Sequence, residues 1–215
     1  FIIFFITGFY SSAHDESFVR EMLGDSYVNM TEENIEKGKP FGVYAEGGAL
    51  LMWMGIMINN LFVAFGYFAQ GLLLCIPLLI SLLAEGVRLG AFEQMFFARG
   101  LGLQSVLTVF IHGTLEISAI VIAGAAGIVL GKSWMFPGTG KRTEAFKRGA
   151  KEGVIILASL IPVFMVAAFF EGFITRYYTM PWWLSSAILL LSAAYITWYY
   201  IIYPVRVQKA RRKIL

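Results

Sequence analysis

The chain has a single cysteine, Cys75, set in an apolar run, which excludes an intrachain disulfide framework and any cysteine-based metal cluster. Charge is equally scarce. Asp, Glu, Lys and Arg make up 14% of the 215 residues, hydrophobic residues make up 58%, and residues 47–84 contain no Asp, Glu, Lys, Arg or His. A soluble globular domain does not tolerate so long an uncharged apolar run, and the mean hydropathy of +0.71 agrees. The net charge of +3 is small and localised, so it reports membrane topology and gives no reason to expect a nucleic-acid partner.

What the sequence does contain is a succession of apolar stretches, which predicts an all-α, polytopic integral membrane bundle of about six transmembrane helices. Residues 1–10 are too short to span, and no basic region precedes them as in a signal peptide. They read as the end of a first, truncated transmembrane helix. Residues 11–46 form a loop carrying Asp15, Glu16, Glu21, Asp25, Glu32, Glu33, Glu36 and Glu46 against Arg20, Lys37 and Lys39, a composition suited to the extracytoplasmic side. A five-span membrane domain follows over residues 47–215. Its first uncharged run divides near Gly66 to Gly71 into spans 47–66 and 69–84, the second containing Pro77, which is compatible with a kinked or re-entrant segment.

Residues 85–100 place Leu89, Phe92, Met95 and Phe96 on one side and Arg88, Glu93 and Arg99 elsewhere, the pattern of an amphipathic connector in the headgroup region. Spans 103–131, 153–175 and 182–203 complete the set. Pro162 lies inside the second of these, and aromatic belts (Tyr177, Tyr178, Trp182 and Trp183; Trp198, Tyr199, Tyr200 and Tyr203) flank the last. The segment 132–152, with Arg142, Lys147 and Arg148, and the tail 204–215 are basic and belong in the cytoplasm. This arrangement puts both termini inside and the acidic loop outside. Across the end of span 103–131 and in the basic loop, AGIVLGKS and PGTGKRT look superficially like phosphate-binding loops. Each lacks the leading Gly and a preceding strand, so neither is read as one.

The chain is organised around residues 100–131, GLGLQSVLTVFIHGTLEISAIVIAGAAGIVLG. His112 and Glu116 stand one helical turn apart on a face continued by Ala119, Ala123 and Gly127, and a carboxylate there must face protein or a wet cavity. Ala123, Gly127 and Gly131 form a small-xxx-small ladder, compatible with a homo-oligomer or with packing inside one bundle. In the expected topology His112, Glu116 and Glu171 meet in one leaflet, with Glu85, Arg88 and Arg176 at the outer interface. Asn59 and Asn60 add polar groups in the membrane.

These residues also carry a resemblance. The Asn pair, HGTLE with the Ala/Gly ladder, the basic loop with Pro137 and Arg142, and AAFFEGF at 167–173 are similar to the stage II sporulation protein M family, over about residues 59–173. The family's recurrent residues fall on Asn60, His112, Gly113, Glu116, Gly124, Gly127, Pro137, Arg142 and Glu171. Glu85, Gly86 and Gly90 fall on its glycine-rich segment, where Glu85 departs from the family's Asn. The resemblance implies a non-catalytic component of the prokaryotic cytoplasmic (inner) membrane, acting beside peptidoglycan-remodelling proteins or MoxR-type ATPase systems. It implies no cofactor.

Three readings of the intramembrane cluster stand side by side. His112, Glu116 and Glu171 satisfy one another and fix helix register. Alternatively, they line an ion, proton or solute path of a small transporter or permease subunit. The third, a metal or hydrolytic site, is disfavoured because one His supplies few nitrogen ligands and no nucleophile accompanies it. We therefore expect no catalytic residue and no metal.

Overall fold

The computed structural model describes residues 1–42, 48–175 and 180–212, and these are helical with no strand among them. In chain order the helices are α1 (Ile2–His14), α2 (Glu16–Leu23), α3 (Asp25–Glu36), α4 (Ala49–Gln70), α5 (Ile76–Phe97), α6 (Gly102–Met135) and α7 (Arg142–Phe169). A π-helical turn, Phe170–Thr175, continues α7. Then come α8 (Trp182–Ile196), a second π-helical segment (Thr197–Ile202) and α9 (Tyr203–Arg212). Among the described residues, four helical stretches are long and apolar enough to cross a membrane: Ala49–Gln70, Gly102–Met135, Arg142–Thr175 and Trp182–Ala210.

The long helix α6 is the centre of the bundle, and its small residues are what let the others approach. A Cβ added to Gly127 would lie 2.7 Å from the carbonyl oxygen of Tyr67 on α4, and one added to Gly124 would lie 2.8 Å from a methyl of Leu82 on α5. Gly131 meets Gly71 and Cys75, and Ala123 is wholly buried. The ladder is thus consumed inside the chain, where α4 runs parallel to α6 and α5 runs antiparallel to it. Gly113 differs. Among the described residues, a Cβ there would meet only side chains of its own helix, Ile117 at 3.6 Å and Val109 at 3.9 Å, so close packing against them does not explain it. On the other side of α6, the turn of α7 around Gly149 and Gly153 crosses Ser133, Val129 and Ala126, making α6 and α7 antiparallel neighbours.

The reversal between α4 and α5 occupies Gly71 to Cys75, a few residues beyond the break expected near 66–71, because Tyr67 and Phe68 remain helical and pack on α6. Leu74 and Cys75 take left-handed backbone conformations there, with φ of 56° and 61°. Pro77 falls in the first turn of α5, where its missing N–H has no intrahelical acceptor, so it starts the helix and does not kink it. Helix α5 then runs unbroken through the boundary at 84/85 that separates the expected span 69–84 from the connector 85–100. Its continuation is held by α1, which lies parallel to it: Gly86 and Gly90 receive the backbone of Phe1, Phe5 and Phe9, and Gly8 receives that of Val87.

The acidic segment is folded, not a loose loop. Asp15 caps α2 by accepting from the Ser17 amide at 2.9 Å, and Gly24, with φ of 84°, separates α2 from α3. Thr31 sits inside α3, its hydroxyl donating to the Tyr27 carbonyl at 2.8 Å. Val19, Val28 and Phe41 pack with Met95, Phe96 and Val109 from α5 and α6, and Phe41 stacks on Phe96 at 5.1 Å. Glu32 joins Arg20 and Arg99 at the edge of this cap. One end of the bundle is therefore acidic and capped, and the other carries Lys132, Arg142, Lys147 and Arg148.

Candidate functional site

Under the acidic cap, α4, α6 and the π-helical turn after α7 bring His112, Glu116 and Glu171 together, with one ligand atom from each lying within 4.8 Å of the others. Helical spacing aligns His112 with Glu116, and antiparallel packing of α7 brings Glu171 alongside. The π turn widens the helix by one residue, and the Thr175 hydroxyl donates to the Phe170 carbonyl five residues back, at 3.1 Å. With its proton used there, the Thr175 oxygen accepts from His112 Nδ1–H at 3.1 Å. This fixes the imidazole tautomer and turns Nε2 toward Glu171 Oε2, 3.9 Å away.

His112 is 4% exposed and Thr175 is 2% exposed, so the histidine is held deep in the protein. Asn60 from α4 lies beside Glu116 and is 4% exposed. Its amide nitrogen makes no hydrogen bond among the described residues. Glu85 is close enough to Glu116 for their charges to interact, and Arg88 pairs with Glu85 at 2.8 Å. Above the cluster, Tyr27 of α3 is half-buried. That burial pushes its phenol pKa up; the Thr31 hydroxyl opposes the rise and the nearby Glu171 adds to it.

Two expected residues stand apart. Asn59 is exposed on the side of α4 away from the cluster, because adjacent helix positions point about 100° apart. Arg176 lies outside the described residues. At the basic end, Arg142 sits over the Trp134 ring at 6.0 Å, Lys147 pairs with Glu144 at 3.5 Å, and Arg148 lines a shallow cleft with Lys132 and Ser133. Thr175 and Tyr27 were not legible as site residues. The one signal for Thr175 is its position four residues after Glu171. A further carboxylate, Glu93 on α5, is 1% exposed with neither oxygen hydrogen-bonded among the described residues.

The family model described as stage II sporulation protein M matches residues 1–176, a longer stretch than the motifs alone delimit. No curated protein and no solved structure matches the chain.

Proposed function

The chain belongs to the stage II sporulation protein M family, and on that premise we propose that it is a non-catalytic, membrane-embedded scaffold of an envelope or cell-wall-related assembly. The observation that carries this reading is the acidic cap. Helices α2 and α3 form a folded surface at one end of the bundle, with an apolar underside locked to α5 and α6 by Phe41, Met95 and Phe96. A partner protein reads a fixed surface of this kind.

In this reading the bundle has six spans. To the four apolar stretches we add the shorter apolar helix α1 and α5, whose 22 residues reach about 33 Å. On α5, Glu85 and Arg88 pair with each other, and Glu93 is enclosed by protein, away from lipid. The basic segments lie in the cytoplasm and the acidic cap outside, in a prokaryotic inner membrane. A MoxR-type ATPase system at the basic end and peptidoglycan-remodelling proteins at the acidic end are the partner classes in view.

A permease subunit is the second reading, favoured by the convergence of three titratable groups at one depth. Proteoliposomes containing a pH-sensitive dye separate the two. The scaffold reading expects proton leak equal to that of protein-free liposomes, with wild type and Glu116→Gln alike. Leak that depends on wild-type protein and disappears in Glu116→Gln would overturn it.

A further inference from the structure

We infer that His112, Glu116 and Glu171 ligate one divalent first-row transition cation, with the Asn60 amide as a fourth donor. The donor set is one imidazole nitrogen, two carboxylates and an amide, contributed by α4, α6 and the π turn. Carboxylate and amide oxygens suit Mn²⁺ and harder ions, and imidazole suits the later transition metals. A mixed set of this kind favours Mn²⁺, Fe²⁺ or Zn²⁺ over Mg²⁺.

Three observations converge on a ligand. His112 is oriented as metal-bound histidines are. One ring nitrogen is tied to Thr175, itself tied to a backbone carbonyl, and the other is presented to the acids. Two carboxyl groups, each partly buried, converge beside His112, and a cation of charge +2 offsets their charge when both are ionised. Asn60 is buried against Glu116, and its amide nitrogen makes no hydrogen bond of ordinary length among the described residues. Rotating that amide by half a turn presents its oxygen. The ligand atoms lie within 4.8 Å of one another, and ligation of an ion would draw them closer together.

The inference does not depend on the scaffold reading, since a cation tying α4, α6 and α7 together serves a scaffold or a permease equally. Its test is metal retention by the full chain, purified in detergent through a tag lacking histidine. After incubation with Mn²⁺ and removal of free ion, elemental analysis should find about one Mn²⁺ per chain. The unfolding midpoint should rise by about 5 °C or more at saturating ion. Mg²⁺ at the same concentration should produce neither effect. Glu171→Gln and Glu116→Gln, each eluting as wild type does on size exclusion, should lose both effects. Glu93→Gln, a buried carboxylate outside the cluster, should keep both. A monodisperse wild type that retains less than about a tenth of an equivalent of Mn²⁺, Fe²⁺ or Zn²⁺ overturns the inference. Undiminished retention in Glu116→Gln and Glu171→Gln also overturns it.

Discussion

His112 and Thr175, 63 residues apart, are joined by a hydrogen bond of 3.1 Å from Nδ1 to Oγ1, buried where α6 meets the π-helical turn after α7. The same hydroxyl closes the π turn onto the Phe170 carbonyl, so one side chain fixes both the turn and the imidazole. Removing it deletes both of these hydrogen bonds. Thr175→Val should therefore lower stability in detergent by about 1 kcal/mol, while Thr175→Ser stays close to wild type. Thermal unfolding of the purified variants checks this. Equal midpoints for Thr175→Val and wild type would contradict it.

Gly127 and Gly113 lie on the same helix but do different work. Gly127→Ala drives a methyl into the backbone of α4 near Tyr67, where no flexible side chain can yield, and should destabilise by about 1–3 kcal/mol. Gly113→Ala meets only contacts of 3.6 Å and longer and should be nearly neutral. Midpoints of the two variants, measured side by side, decide the matter. The account fails if Gly113→Ala is the more damaging.

These two glycines also mark how far the sequence could be read. The period and spacing of His112, Glu116, Ala123, Gly127 and Gly131 placed one polar, small-residue face on α6, and the structure uses that face. The sequence does not reveal which neighbour fills the ladder: that is set by Tyr67, Gly71 and Cys75 arriving from α4 and its turn. The connector boundary at 84/85 was drawn from the appearance of Glu85 and Arg88, yet α5 continues because Gly86 and Gly90 pack on α1 and Arg88 pairs with Glu85. The docking of the acidic segment through Phe41 depends on contacts distant in sequence. Thr175 escaped notice because its role exists only once the π turn has formed.

Glu32 holds the cap at its edge, bonding Arg20 at 3.1 Å and also Arg99. Glu32→Gln should cost less than about 1 kcal/mol globally, as partly exposed pairs do. The change should be local instead, with faster amide hydrogen exchange in α3 and unchanged exchange in α6. Uniform acceleration across both helices, or none in α3, would count against a cap docked in this way.

Asp15 links the cap to pH. The Ser17 hydroxyl first, and then the Ser17 amide, hold its carboxyl below the usual value of 3.8. A lowered folded pKa means that the stabilisation is present above the ordinary aspartate range and is lost as pH falls through the folded value. The first turn of α2 should therefore loosen in acid. The Ser17 amide NMR signal should titrate with a midpoint below 3.8, and Asp15→Asn should abolish the titration. A midpoint at or above the ordinary value contradicts the cap.

The scaffold role is tested most directly by purifying the tagged full chain from its native membranes and identifying by mass spectrometry what accompanies it. The account predicts a stoichiometric envelope protein or ATPase. That partner should be reduced at least several-fold by charge reversal on the exposed acids of the cap, as in Asp25→Lys with Glu33→Lys, while the bundle stays folded. A chain that emerges alone, monodisperse and folded, or whose companion is indifferent to the cap, would contradict it.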